Sequence, residues 1–278
     1  MGESIPREAQ DYYSRGIETG RLFRSHGRIE LARTQEIILR HLPPPPGPVL
    51  DVGGGPGVYA CWLAGLGYRV TLVDAVPFHV EQAREASARQ PQAPIAALRL
   101  GDARRLDEAA ASIGAVLLLG PLYHLTERAD RLAALREARR VLRPGGLLVA
   151  ASVGRYASLL SGVAEGMLSD PEFAAIVARD LRDGQHRNPT EKDYFTTTFF
   201  HRPEELSGEI LEAGFEQLDL LGVEGPGWLL PDLDARWEDP REREHLLEAA
   251  RAVERDPALL GLHAHLLVVA RRPVSEAG

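Results

Sequence analysis

The chain has 278 residues, of which 44% are hydrophobic and 26% charged, the balance of an ordinary globular protein. Its net charge of −8 comes without a basic tail or stripe, which disfavours a nucleic-acid partner because such partners are recognised through concentrated positive charge. No apolar run approaches the ~20 residues of a membrane-spanning helix, and the first residues lack the apolar centre of a signal peptide. The single cysteine, Cys61, excludes an internal disulfide framework. The composition predicts a cytoplasmic protein with no membrane partner.

Helical periodicity is the first pattern along the chain. Residues 8–42 predict two helical pieces that are broken near His26 and Gly27, and Ile38 and Leu42 fall on one apolar face. The proline run that follows ends this helix, because proline lacks the N–H that would continue it. The segment therefore predicts helices that lead directly into the first strand.

Residues 48–74 predict a strand, a glycine-rich turn, a helix and a second strand. The apolar run Val49–Val52 is typical of a strand buried on both faces. Residues 53–57 then supply four glycines, which permit positive φ and close approach of a ligand to the backbone. A helix that begins directly after such a turn can bind an anionic or zwitterionic ligand, and the second strand ends at Asp74.

Strand and helix patterns continue to alternate as far as residue 152. Apolar runs predict further strands at 95–100, 115–119 and 147–152, separated by helical patterns at 77–89 and 126–142. This alternation predicts an α/β fold, doubly wound, with a mostly parallel sheet and helices on both faces. Residues 48–152 are predicted to form its core.

The rest of the chain departs from this alternation and then returns to it. Residues 153–202 combine two helical patterns with a polar, aromatic-rich stretch, and they start on the ligand-binding side of the sheet. We interpret them as a helical lid. Residues 203–278 predict the C-terminal part of the core sheet, with a helical insertion near 224–262.

The glycine turn and its acidic neighbours carry a family resemblance. The spacing Gly53-x-Gly55-x-Gly57, preceded by Asp51 and followed by Asp74, differs from the G-x-G-x-x-G of a dinucleotide site. It resembles the class I S-adenosylmethionine-dependent methyltransferases. That family's later motifs are matched in order and spacing by Gly101–Ala103, Leu117–Pro121 and Arg143–Gly146. The resemblance implies a seven-stranded sheet, an N-terminal helical cap over residues 1–47, S-adenosylmethionine as cofactor and S-adenosylhomocysteine as product.

The resemblance also implies roles for the residues at the strand ends. Asp74 can accept the ribose hydroxyl hydrogens, and Asp102 with the Ala103 amide can hold the adenine. Asp51 supports the loop or the cofactor's amino group, while Arg33 is the preferred partner of its carboxylate. The predicted cofactor-binding residues are Arg33, Asp51, Gly53, Gly54, Gly55, Gly57, Asp74, Ala75, Asp102, Ala103, Leu119 and Gly120.

Methyl transfer needs positioning and desolvation, and a hydroxyl acceptor must also lose a proton. Histidine can remove it near neutral pH. His124, just beyond the fourth strand, is the favoured catalytic base, and His201 is the second candidate. His263 and His265 are interpreted as structural, and no metal site is predicted. The predicted substrate-binding residues are Tyr123, His124, Tyr156, His186, Tyr194, Phe199 and Trp228.

These features predict a methyltransferase that acts on the oxygen or nitrogen of a small molecule in an enclosed pocket, as a monomer or homodimer. One alternative is a protein that binds S-adenosylmethionine but catalyses a rearrangement or cyclisation. Another is a regulatory subunit, which the intact glycine loop with Asp74 and Asp102 disfavours. Formation of S-adenosylhomocysteine during turnover separates the first two.

Overall fold

The computed structural model describes residues 20–190, 192 and 194–274 of the chain. The first 19 residues of the predicted N-terminal cap therefore lie outside the described residues. A 3₁₀ turn at Arg21–Phe23 precedes helix α1 (Gly27–His41), so the predicted break near His26 is the start of a helix. A Cβ at Gly27 would lie 2.3 Å from the carbonyl oxygen of Arg21, and glycine thus lets the turn fold back onto the helix.

The central sheet contains five parallel strands in the order β3–β2–β1–β4–β5. The strands are β1 (Pro48–Val52), β2 (Arg69–Asp74), β3 (Ala97–Leu100), β4 (Ile113–Leu118) and β5 (Leu142–Gly154). The helices between them are α2 (Val58–Gly65), α3 (Pro77–Ala88), α4 (Pro121–His124) and α5 (Arg128–Val141). The chain order reverses between β1 and β4, and open α/β sheets bind ligands at the carboxyl end of such a point.

Residues 153–202 form helices and a short hairpin. The helices are α6 (Ala157–Ala164) and α7 (Pro171–Asp183), and the strands are β6 (Gln185–His186) and β7 (Thr198–His201). Strand β7 pairs in parallel with the end of β5, and β6 pairs antiparallel with β7. The aromatic stretch therefore extends the sheet sideways, because its backbone hydrogen bonds are made to β5.

An antiparallel pair completes the seven-stranded sheet. Helix α8 (Pro203–Glu212) leads into β8 (Glu216–Gly222), helices α9 (Leu233–Glu238) and α10 (Pro240–Val253) follow, and β9 (His265–Arg271) lies between β5 and β8. In this register His265 is paired with Val153, so the start of β9 lies beside the carboxyl end of β5. The predicted fold class is confirmed, and β6 and β7 are additions to it.

Two apolar layers bury the two faces of the sheet. Alternation along β1 sends Val49 to one layer and Leu50 to the other. Helices α5 and α8 cover the Leu50 face through Leu135 and Leu206, while helices α1, α2 and α3 cover the Val49 face. Within the described part of the chain, no helix has the length and apolar character needed to cross a membrane.

Candidate active site

A pocket of about 180 Å³ lies at the carboxyl ends of β1, β2 and β4, beside α1 and the turn that precedes it. All the predicted cofactor-binding residues line this pocket except Arg33 and Gly57. The pocket extends from the glycine loop to residues of β9. It therefore joins the predicted cofactor site to a second region that sequence patterns did not identify.

The glycine loop is shaped by close contacts as well as by backbone conformation. Gly53 has φ of +70°, and a Cβ there would lie 2.6 Å from the Pro121 ring. A Cβ at Gly54 would lie 2.7 Å from a carboxylate oxygen of Asp51. Gly57 is the N-cap of α2 and lies against Ala83. Because it has no side chain, α2 can pack closely on α3. Gly57 itself lies outside the pocket.

Asp74 holds the glycine loop from the end of β2. Its Oδ2 accepts a hydrogen bond from the Gly55 N–H, and its Oδ1 accepts one from the Val76 N–H, both at 2.8 Å. His79 Nδ1 lies 3.2 Å from Oδ1. A carboxylate offers about four acceptor positions, so Asp74 retains capacity for a ligand hydroxyl. Sequence patterns did not identify His79, which lies in the first turn of α3.

Asp102 lines the pocket from the loop after β3. Its Oδ2 accepts a hydrogen bond from Arg104 Nη2 at 2.7 Å, and its Oδ1 accepts one from the Arg104 backbone N–H. Arg104 also pairs with Asp130 at 3.0 Å. These contacts fix the carboxylate beside Ala103, which lines the same part of the pocket.

Asp51 is a buried acid with an unmet hydrogen-bonding capacity. It is 1% exposed, and its Oδ2 has no hydrogen-bond partner among the described residues. Burial and the nearby Asp74 carboxylate raise the pKa of Asp51 to about 7. A buried carboxyl of this kind gains most from a cationic partner. It therefore fits the ammonium group of an amino-acid ligand.

The predicted role of Arg33 requires correction. Its side chain is fully buried and lies outside the pocket, where it pairs with Glu254 and, at 2.5 Å, with Glu36. Its two terminal nitrogens each pair with one of these carboxylates, so the guanidinium is not placed to bind the cofactor's carboxylate, although its buried Nε has no hydrogen-bond partner among the described residues. The arginine that lines the pocket is Arg21, which is paired with Glu30.

The two predicted catalytic histidines have different positions. His124 lines the pocket at 6% exposure, and burial lowers its pKa to about 4. His201 does not line the pocket, because it lies on β7 with Nε2 at 3.4 Å from Glu209. Burial also lowers the pKa of His201. His201 therefore belongs to a buried packing contact between β7 and α8, which corrects its predicted role.

Of the predicted substrate-binding residues, only Tyr123 and His124 line the pocket. The others are held elsewhere by specific contacts, and no described residue of 153–202 lines the pocket. Strands β6 and β7 thus extend the sheet laterally, and the lid role of residues 153–202 stays a prediction. The contacts that hold the five predicted substrate-binding residues outside the pocket are Tyr156 with Arg202, His186 with Asp180 and the Tyr194 carbonyl, Tyr194 with Asp170, Phe199 under Arg131, and Trp228 with the Leu262 carbonyl.

Sequence patterns missed a group of four ionisable side chains, which we call the charged wall: Arg21, Glu30, Glu224 and His265. Arg21 binds both oxygens of Glu30, at 2.5 and 2.9 Å. His265 Nδ1 lies 2.5 Å from Glu224 Oε1. Arg21, Glu30 and His265 line the pocket, and Glu224 is fully buried behind His265. His263, two residues earlier, accepts a hydrogen bond from the Gly225 N–H, as expected for a structural histidine.

Comparison with known proteins finds methyltransferases among the similar sequences. A family model described as a methyltransferase domain matches residues 50–150. A ubiquinone/menaquinone biosynthesis C-methyltransferase from Acidiphilium cryptum (strain JF-5) is 27% identical over 203 residues, which cover 70% of this chain and 79% of that protein. A ubiquinone biosynthesis O-methyltransferase from Xanthomonas axonopodis pv. citri (strain 306) is 29% identical over 194 residues, covering 69% and 72%.

A solved structure agrees with the fold. A methyltransferase from Methanosarcina mazei superposes with a TM-score of 0.59 at 18% identity, covering 86% of this chain and 98% of that one. The segment matched by the family model contains the glycine loop, Asp74 and Asp102. These matches show a methyltransferase domain over residues 50–150, and the sheet order and the pocket at its switch point agree with a class I S-adenosylmethionine-dependent methyltransferase, with S-adenosylmethionine as cofactor and S-adenosylhomocysteine as product.

Proposed function

We propose that this enzyme methylates an oxygen or nitrogen atom of a small, largely apolar molecule that binds between the glycine loop and the charged wall. The observation that carries this proposal is that both regions line the same pocket. Residues 20–23 and α1 border the pocket at that end. An acceptor enclosed there lies away from water, as methyl transfer requires.

The part of the pocket that binds the cofactor is formed by residues at the carboxyl ends of the strands. Asp74 holds the ribose diol, Asp102 and the Ala103 amide hold the adenine, and Asp51 holds the ammonium group. Glycine at positions 53 and 54 lets the loop pack against Pro121 and Asp51, whereas a Cβ at Gly55 would meet only open space, which leaves room for a ligand against the backbone. S-adenosylmethionine supplies an electrophilic methyl group on a positively charged sulfur. The role of these residues is to position that group and exclude water.

The acceptor half has apolar walls and one polar side. Leu22, Phe23 and Tyr59 contribute apolar surface, together with Val223 and Leu267. A pocket with apolar walls and one polar side suits an aromatic ring that carries a polar substituent facing the charged wall. The relatives named for ubiquinone biosynthesis support the same class of acceptor. We therefore propose a phenol or hydroquinone as the acceptor class, with an aromatic amine as the N-methylated counterpart.

An assay of product identity tests this proposal. The purified protein is incubated with S-adenosylmethionine and a panel containing catechol, 1,4-dihydroxybenzene, 3,4-dihydroxybenzoate and aniline. We expect S-adenosylhomocysteine and an equal amount of methylated phenol, both measured by mass spectrometry. Equal turnover of apolar phenols and of a methyl-accepting peptide or RNA would contradict a small-molecule pocket. A transformed acceptor without S-adenosylhomocysteine would assign the rearrangement or cyclisation alternative instead.

Cofactor binding is expected to depend on pH through Asp51. In the free protein this carboxyl has a pKa of about 7, so it is largely protonated below neutrality. An ammonium partner favours the ionised form, and binding therefore releases a proton. Affinity for S-adenosylhomocysteine should rise about tenfold between pH 6 and pH 8. Isothermal titration calorimetry in buffers of different ionisation enthalpy measures both the affinity and the released proton.

The matched control for this prediction is Asp51→Asn, which keeps the shape of the side chain and removes its titration. This variant should bind more weakly at pH 8 and show a flat pH profile. A wild-type affinity that stays constant over the same pH range would contradict the assignment of Asp51 to the ammonium group.

A further inference from the structure

His265 lines the pocket, and Glu224 holds both its ring and its backbone. His265 is the first residue of β9, and its backbone N–H donates to Glu224 Oε2 at 3.0 Å while Nδ1 contacts Oε1 of the same carboxylate at 2.5 Å. One buried side chain thus fixes both the backbone and the ring. Because Nδ1 donates to Glu224, the neutral ring leaves Nε2 as its proton-accepting nitrogen.

The Nε2 atom is available to a ligand. Among the residues that the structure describes, His265 Nε2 has no hydrogen-bond partner, and the side chain lines the pocket. The register of β9 places His265 at the carboxyl end of β5, beside Val153. This is the same edge of the sheet at which the glycine loop and Asp74 follow β1 and β2.

The surroundings of His265 favour its charged form. Burial opposes protonation, yet the carboxylates of Glu30 and Glu224 outweigh it, so the pKa of His265 lies above its ordinary value. Glu30 Oε2 lies 3.8 Å from Nδ1, and Arg21 pairs with Glu30 on the side of the 3₁₀ turn. His26, at the start of α1, also faces this group and has a lowered pKa because of burial. The ring can therefore hold a proton that it receives.

We propose that His265, oriented by Glu224, is the general base of the methyl transfer and accepts the proton of the acceptor hydroxyl at Nε2. This inference rests on the proposed function and adds the proton acceptor to it. The acceptor oxygen forms a bond to the methyl carbon, the carbon–sulfur bond breaks, and its electron pair returns to sulfur. The hydroxyl proton moves to Nε2, and the Glu224 carboxylate stabilises the resulting imidazolium.

Three other histidines, His124, His79 and His186, are less suited to this step. His124 lines the pocket, but a pKa of about 4 makes it a weak proton acceptor. His79 is held against Asp74, and His186 uses both ring nitrogens in contacts outside the pocket. The structure therefore moves the proposed base from His124 to a residue of the charged wall.

A bound cation is the competing use of these side chains. One ligand atom from each of Glu30, Glu224 and His265 lies within 4.8 Å of the others. However, Arg21 already binds both oxygens of Glu30, and both oxygens of Glu224 contact His265. A cation would have to displace these contacts, so the geometry favours proton transfer.

The kinetic test compares His265→Asn and Glu224→Gln with the wild type, using catechol as acceptor. His265→Asn should lower kcat by ~10²-fold, the usual scale of general-base catalysis, and leave S-adenosylhomocysteine affinity unchanged. Its remaining activity should rise with pH as the phenol ionises unaided. In Glu224→Gln the rising limb of the kcat profile should move to lower pH, because loss of a carboxylate lowers the pKa of His265. His245→Asn, an exposed histidine on α10, is the matched control.

A second measurement does not require an acceptor. In histidine-labelled protein saturated with S-adenosylhomocysteine, nuclear magnetic resonance should show His265 titrating above the ordinary value of about 6.5, and lower in Glu224→Gln. Wild-type kcat in His265→Asn, an unchanged titration in Glu224→Gln, or loss of turnover on chelation would overturn the proposal. If the panel yields no methylated product, the proposed function fails, and the titration alone then decides whether the Glu224–His265 pair is poised as a base.

Discussion

Replacing Asp74 by alanine is expected to weaken S-adenosylhomocysteine binding by about 1–3 kcal/mol, or roughly 5- to 150-fold. The substitution removes the proposed ribose partner. It also leaves the N–H groups of Gly55 and Val76 without the acceptor that fixes the glycine loop. Titration calorimetry measures the loss directly. We expect this loss of affinity to exceed the loss caused by a single substitution of any exposed surface residue.

Two variants make the Asp74 result specific. Asp74→Asn keeps one acceptor oxygen and should retain part of the affinity, while Asp107→Ala, at an exposed position after β3, should retain all of it. Unchanged affinity in Asp74→Ala, or tighter binding of a nicotinamide dinucleotide than of S-adenosylhomocysteine, would remove Asp74 from the cofactor site.

Replacing Arg131 by alanine is expected to lower the free energy of unfolding by about 3–5 kcal/mol, the usual cost of breaking a buried ion pair. Arg131 on α5 is 2% exposed and donates to both oxygens of Glu209, which is 3% exposed. It also donates to the Leu125 and Thr126 carbonyls and covers the Phe199 ring. Its loss leaves the buried Glu209 carboxylate with only the more distant His201, at 3.4 Å, and Arg128, at 3.8 Å. Equilibrium denaturation in urea measures the change.

A second arginine on the same helix provides the control. Arg128 pairs with Glu212, but its side chain is 53% exposed, and Arg128→Ala should destabilise the protein far less than Arg131→Ala because water screens the pair. The double variant Arg131→Met, Glu209→Leu should recover much of the loss, since no buried charge remains. Equal destabilisation by Arg128→Ala and Arg131→Ala would show that the buried pair contributes no more to the free energy of unfolding than the exposed pair does.

The sequence was enough to predict that Asp74 and Asp102 line the same pocket, because each follows a strand directly. Asp74 ends β2, and Asp102 comes two residues after β3. In a parallel sheet the carboxyl ends of neighbouring strands meet at one edge. The hydrophobic runs in the sequence were enough to locate those ends, although some predicted strand limits differ from the observed ones. For example, β5 begins at Leu142 rather than at the predicted residue 147.

The predicted site includes residues that lie outside the pocket, because contacts between residues distant in sequence leave no local pattern. Arg33 looked available for a ligand, yet its partner Glu254 lies 221 residues further along the chain. Strand β6 has only two residues, too few to show a pattern. The aromatic residues around β7 were read as pocket walls, since composition alone does not distinguish a ring that packs under an arginine from one that contacts a substrate.

The charged wall has a consequence for how such enzymes diverge. Arg21, Glu30, Glu224 and His265 all lie outside residues 50–150, the segment shared with the methyltransferase domain model. The residues proposed to hold the methyl donor lie inside it. With the proposed roles, donor and acceptor recognition are encoded in separate stretches of the gene that meet only after folding. Substitution or recombination in the two flanking stretches can retarget the enzyme to a new acceptor while the inherited donor site is left intact.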